Sequence, residues 1–484
     1  MIPWGPWNPD IAGVNTKALL QARNVLPGAA GYYPLPQAVA STTALPSACR
    51  GAVSVLKDDG SVQTYAGTQT TLYKLSPLAG WTDVSRLVGG AYNVGTGEQW
   101  KWAAYGDRLL ATSIADGLQY IDVVTGTNFG SVAGSPPKAR YIDVVRDFVL
   151  LGALTGNEKR IQWSANNNVE GWTPGVSESD YQDFPNGGPV RGVLGGEVGY
   201  IFQAYKIMRM TYTPGSPLIF QFDEVEGSVG LAAPHSLVKI RNEAYFLARD
   251  GIRKFALSGG KSVPVGINKW ARTFVEDMRV ASEINVTGAA NPVRPIIVWA
   301  YIAKNTSGEV PNKLLIYDWS IDEATTADLT VEALVQWLSP GVTLDTMNDY
   351  GTLDELPFSL DSPFWRGGSA IMGLFGADHK LALMAGPAMQ ATFETADGMG
   401  DRRVLVTGTK PVIDTASCTV ALAARERDGD TVVYATAESL ENTGVCPAHV
   451  SGNLVRAKIT VPAGASWRQA QGLVTLVPGT RGKR

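Results

Sequence analysis

One recurring pattern constrains the fold of this chain more than any other feature. From Ala52 onward, an apolar strand, a turn holding Asp, Asn or Gly, a second strand, another turn and a third strand return again and again. The first copy runs through 53–56, the turn Asp58-Asp-Gly60, 61–65, 71–75 and Trp81. The third runs through 140–145, the turn Arg146-Asp147, 148–151, 160–163 and Trp172. Copies begin near 53, 100, 140, 190, 237 and 285, a spacing of about 40–50 residues that matches one propeller blade. A blade buries its two faces only against neighbouring blades, so repetition around a ring solves its stability problem. The pattern predicts an all-β chain with a β-propeller of six or seven blades over 46–387; the uncertainty in number comes from a further hairpin over 370–375 and 380–384.

The ends differ from this ring. Residues 1–45 read as an extended arm, with Pro3, Pro6 and Pro9 beside Trp4 and Trp7, a short helix over 15–25, and then Gly31-Tyr-Tyr-Pro-Leu-Pro-Gln. Such a segment cannot bury itself, so Trp4, Trp7, Tyr32 and Tyr33 are expected at an interface with a neighbouring subunit. Residues 388–484 alternate short strands and turns, including the hairpin turn Asp428-Gly-Asp430, and predict a C-terminal β-sandwich. One helix breaks the strand pattern. Trp270, Phe274 and Met278 recur every four residues, which places one apolar stripe against a sheet.

Composition bears on what the chain can bind. Charged residues make up 18% of 484, against about 25% in ordinary soluble chains, so part of the surface is expected to be covered by other subunits. The 41 basic and 45 acidic residues give a net charge of −4. A protein that grips nucleic acid along its backbone carries a basic excess instead. Three widely spaced cysteines, Cys49, Cys418 and Cys446, supply neither a disulfide framework nor a zinc site and are expected as buried free thiols. The N-terminus has no basic start or apolar core of a secretory signal, and no apolar stretch is long enough to span a bilayer. These features predict a protein made in a cytoplasm and not stably inserted in a membrane.

Motifs for chemistry are weak. His235, His379 and His449 are isolated, without the His-Glu-x-x-His spacing of a metalloenzyme. Gly259-Gly-Lys-Ser262 has the tail of a phosphate loop, but Phe255 stands where the first glycine is needed, so a strand-end turn is expected. The acidic run Asp345, Asp349, Asp354, Glu355 and Asp361 lacks calcium-loop spacing, since Met347 and Tyr350 fill the third and sixth positions. The run is therefore expected as a solvated loop or a subunit contact, with Asp345 and Asp349 as its interface residues. No paired-acid or nucleophile-elbow pattern appears, so no catalytic residue, cofactor or metal is expected.

Several strings resemble the nozzle, or tail hub, proteins of short-tailed bacteriophages. They include Ala22-Arg-Asn-Val-Leu-Pro-Gly-Ala-Ala-Gly-Tyr-Tyr-Pro, Gly134-Ser-Pro-Pro-Lys-Ala-Arg-Tyr, Val145-Arg-Asp-Phe-Val-Leu-Leu-Gly and Gln162-Trp-Ser-Ala. Ser179-Asp-Tyr-Gln-Asp-Phe-Pro, Tyr200-Ile-Phe-Gln, Pro217-Leu-Ile-Phe-Gln-Phe-Asp, Asp250-Gly-Ile and Gly351-Thr-Leu-Asp-Glu-Leu-Pro-Phe-Ser-Leu-Asp-Ser extend the likeness to about residue 385. The resemblance implies a non-enzymatic virion tail protein assembled in the host cytoplasm. It implies a homohexameric ring below the head-tail connector, with tail fibre, spike or needle proteins as neighbours. Genomic double-stranded DNA would pass through its lumen without sequence-specific contacts. The rival expectation is a receptor-binding or polysaccharide-degrading tail protein.

Overall fold

The computed structural model describes residues 2–338 and 370–476, apart from 12, 58–59, 77–79, 217, 292 and 416. Six four-stranded sheets stand alone as blades. The first opens with Ala52–Leu56, the second with Lys101–Tyr105, the third with Ala139–Val145, the fourth with Val190–Leu194 and the fifth with Val238–Ile240. In these five, each strand pairs antiparallel with the next in sequence, as short connections dictate. A further four-stranded unit from Thr287–Ala290 to Glu323–Asp328 follows the fifth blade, and the closing blade opens with Val331–Leu338. The segment 331–338 therefore begins a new blade rather than ending the sixth repeat. Val331–Leu338 lies beside both Thr287–Ala290 and Ala52–Leu56, which joins the end of the series to its beginning. The result is a closed β-propeller.

Each junction between blades has its own apolar core. Tyr65, Leu72, Trp100, Leu109 and Ile121 fill the first junction, and Phe202, Phe246 and Phe255 fill the fourth. Trp81 packs on Phe375 across the closing junction at 6.0 Å between ring centroids, and its indole N–H donates to the Thr43 carbonyl. Trp172 is buried between the second and third blades. Trp172 is core and Trp81 is half-buried against the closing core, in line with their place at corresponding unit ends.

The ring is closed by the N-terminus. Pro36–Ala40 is the outer strand of the closing blade, with Ala38 opposite Met384 and Ala40 opposite Ala382. The last sheet thus takes strands from both ends of its chain order, and its otherwise open edge is paired.

The remaining N-terminal residues correct the expected arm. Ile2–Pro3 pairs with Ala470–Leu476, Leu19–Arg23 with Ala391–Thr395, and Val25–Gly28 with Gly31–Pro34. The expected helix over 15–25 is a strand instead. Asn15 and Asn24 sit at φ +53 and +59, a left-handed conformation that asparagine tolerates and that bounds the segment before a helix can form. Asn24 then ties three segments together: its amide donates to the Gln390 carbonyl, its Oδ1 accepts from the Asp328 N–H, and its backbone N–H donates to Thr326.

The C-terminal strands Gly398–Ile413, Cys446–Val461 and Ala470–Leu476 join these N-terminal strands in one 14-stranded sheet. That sheet continues through the Arg23–Thr326 pairing into the unit 287–328. A self-contained two-sheet sandwich over 388–484 is not the observed pairing. The helix Ala271–Asp277 takes the expected role, with Phe274 edge-on to Tyr301 and Trp270 against Tyr317.

A candidate ligand site at the ring mouth

The connection between the first and second blades, residues 84–100, does more than link them. Arg50, just ahead of the first blade, donates from its guanidinium to the carbonyls of Val94 and Gly95, the latter at 2.6 Å. Arg140, on the leading strand of the third blade, donates through Nε to Glu98 at 3.0 Å. The ring of His235, just ahead of the fifth blade, lies with Nε2 3.2 Å from the Gly97 carbonyl. A five-residue loop held from the first, third and fifth blades has to cross the middle of the ring. Residues 94–98 therefore cover one mouth of the propeller.

The groups around this loop are strongly polar. Arg140 also pairs with Glu158, and Arg191, on the leading strand of the fourth blade, donates to the carbonyls of Leu231 and Ala232 at 3.2 and 2.5 Å. Lys101 opens the second blade. Burial pushes its ammonium down to about 8, against the opposing pull of Glu98. Burial also lowers His235, and the nearby Lys101 charge adds to the effect, so its imidazole sits well below the usual histidine range and is neutral at pH 7. A signal for this site was present in the sequence: a cation recurs at each of the first four unit openings, as Arg50, Lys101, Arg140 and Arg191. The repeat was visible, but nothing local shows that these positions converge.

The residues expected at interfaces fall elsewhere. Trp4, Trp7 and Tyr32 are 8, 4 and 2% exposed, buried in this chain's own core. They pack where the N-terminal strands meet the C-terminal ones, so they are not free for a neighbouring subunit. Tyr33 is 40% exposed and remains accessible. Asp345 and Asp349, with the rest of their acidic run, lie outside the described residues.

Other candidates are committed to structure. His379 Nδ1 is 2.7 Å from Glu332, whose other oxygen accepts from the Cys49 N–H, and His449 is exposed. All three cysteines are free and buried. The Cys418 and Cys446 thiols hydrogen-bond to one another, which drives Cys446 upward and Cys418 downward, while burial raises Cys49. Residues 257–262 form the turn between two strands of the fifth blade, as expected for Gly259-Gly-Lys-Ser262. Among the described residues no three His, Cys, Asp or Glu side chains are grouped to hold a metal. No helix among them is long and apolar enough to cross a membrane.

No family model and no curated protein matches the sequence. Three solved structures that resemble the chain do so at low identity. The extracellular domain of a putative one component system from B. thetaiotaomicron is 8% identical over 82% of this chain and 47% of its own, with a TM-score of 0.43. The extracellular domain of a putative hybrid two component system from the same organism is 9% identical over 88% of this chain and 47% of its own, at a TM-score of 0.41. The computationally designed Ika8 protein is 10% identical over 72% of this chain and 98% of its own, at 0.38. The chain spans about half the length of the first two.

Proposed function

We propose that this chain is a structural, non-enzymatic tail protein of a short-tailed bacteriophage, one copy of a homo-oligomeric ring below the head-tail connector. In this reading the ring retains packaged double-stranded DNA and then lets it pass, and the connector and the fibre, spike or needle proteins are its neighbours.

The observation that carries the reading is the covered mouth. Loop 94–98 crosses the centre of the propeller and is held from three blades, so nucleic acid cannot thread the propeller of a single chain. A passage for DNA has to be built between copies, with each propeller as a solid wall element. The net charge of −4 fits a wall that does not hold phosphates by counterion release, a contact that a ring would multiply by its copy number.

Imaging of the purified protein tests this directly: six-fold rings are expected, and a monodisperse monomer at high concentration sinks the proposal. The rings should bind duplex DNA only weakly at physiological salt. Sub-micromolar binding with a steep salt dependence would make the lumen a clamp. Cleavage of a host polysaccharide by the pure protein would favour the receptor-binding or polysaccharide-degrading alternative.

A further inference from the structure

We propose that the junction between the sixth unit and the closing blade binds a free medium-chain fatty acid, its chain in an apolar cavity and its carboxylate on Arg294 and Asn291. The inference concerns a single chain and does not rest on the tail reading.

Every other junction of the ring is filled by large rings. Trp100, Trp172, Trp163, Phe255, Trp299 and Trp337 serve the first to the fifth and the last in turn. The core between the sixth unit and the closing blade holds no aromatic residue among the described ones; it is aliphatic, with Met372, Met384 and Met389 at its edge. Space is left there. A cavity of about 300 Å³ opens between Ile296, Val298, Leu314 and Ile316 on one side and Leu374 and Leu383 on the other. Interiors pack closely, so a void of this size is unusual. An enclosed apolar cavity of roughly 150 Å³ takes up benzene, so one of twice that volume holds a chain of about ten to twelve carbons. Met372 and Met384 also line it, and their unbranched side chains adapt to a guest.

The mouth of the same cavity selects the head group. Its exposed lining residues are Val293, Arg294 and Ala385, which places the opening at the connection between Thr287–Ala290 and Ile296–Tyr301. Asn291, also in the lining, accepts through Oδ1 from the backbone N–H groups of Val293 and Arg294 at 3.0 and 3.1 Å. A backbone N–H needs an acceptor, so these contacts fix the amide and leave its NH₂ as a donor. Among the described residues neither that NH₂ nor the Arg294 guanidinium has a hydrogen-bond or ion-pair partner. All other lining side chains are apolar. The site therefore offers an apolar wall, a positive charge and donors only. A carboxylate on an aliphatic chain matches all three, whereas a cationic head would meet Arg294 as a like charge. A second cavity, of about 370 Å³, lies over Val404, Val406 and Leu422 beside Lys17, but the Asp397 carboxylate also lines it and would repel an acid.

The full-length protein, stripped of lipid, is titrated calorimetrically at pH 7 with sodium decanoate below its micellar range. Sodium butyrate and decyltrimethylammonium serve as controls for the chain and for the head. Saturable one-to-one binding of decanoate is expected, with both controls at least tenfold weaker. Arg294→Met should weaken decanoate at least tenfold, whereas Lys17→Met, at the other cavity, should leave it unchanged. Decanoate should also shift the methyl resonances of Met372 and Met384 in the unmodified protein, a readout that needs no variant to fold. Absence of saturable binding, equal affinity for either control, a Lys17→Met loss, or unmoved Met372 and Met384 resonances at saturation overturns the proposal. Resonances that move with protein concentration alone would assign the cavity to a second copy of this chain and overturn it as well.

Discussion

The indole of Trp4 lies 4.6 Å from the phenyl ring of Phe393, centroid to centroid, with the planes inclined by 30°. Tyr32 and Trp467 reach the same phenyl ring at 5.5 and 6.3 Å, so the two ends of the chain share one core. Trp4→Ala removes a buried aromatic from it and should cost about 3–5 kcal/mol of unfolding free energy in urea. A double-mutant cycle with Phe393→Leu should show coupling of about 0.5–1.5 kcal/mol. A Trp4→Ala protein as stable as the parent would mean that the N-terminal segment does not pack there.

Removal of residues 1–40 should be more damaging than loss of an arm. It deletes the outer strand of the closing blade and leaves the edge of Leu381–Ala388 unpaired, along with the partners of Ala391–Thr395 and Ala470–Leu476. Exposed edges recruit other strands, so the truncated chain should elute as aggregate in size-exclusion chromatography. Co-expression of residues 1–40 as a separate peptide should restore soluble protein. A soluble truncation with a cooperative melt contradicts this.

Lys101 should make stability rise with pH. Its folded value of about 8 lies below the ordinary 10.5, so between these limits the unfolded chain holds more protons than the folded one. Stability from this group is complete above the unfolded value and is lost as pH falls through the folded one. Lys101→Met should therefore be more stable than the parent at pH 7, on the order of 1–3 kcal/mol. The stability difference between the two should shrink from pH 8 to 10. Equal stability at pH 7 would mean that the ammonium is well solvated.

Asp397 is 2% exposed and accepts from both Arg425 and Arg456 at 2.6 Å. Asp397→Asn keeps the shape but leaves the buried Arg425 without its buried carboxylate and takes one of two carboxylates from the half-buried Arg456, and should cost about 3–5 kcal/mol. Urea denaturation measures it. A loss below about 1 kcal/mol would show that solvent or Glu394, which pairs with Arg456 at 3.0 Å, takes over the charge.

The blades were legible because their signals are local. Alternating apolar residues, and turns such as Gly106-Asp107, Arg146-Asp147 and Asp250-Gly251, each act over a few residues, and the observed strands follow them. The same holds for the helix around Phe274, whose apolar spacing alone identifies it. The segment 19–23 was misread because its apolar residues also suit a helix. Pairing with Ala391–Thr395, far along the chain, decides in favour of a strand, a case of tertiary context overriding local preference.

The sequence by itself determined the repeating antiparallel units and the turns between them, since these depend on near neighbours. Only the tertiary structure decided which strand closes the ring, where Trp4 and Trp7 are buried, and that Arg50, Lys101, Arg140 and Arg191 open blades around one covered mouth. Each of these depends on groups brought together across long stretches of chain. Such meetings are set by the burial of apolar faces and the pairing of buried polar groups over the whole fold, and no local pattern encodes them.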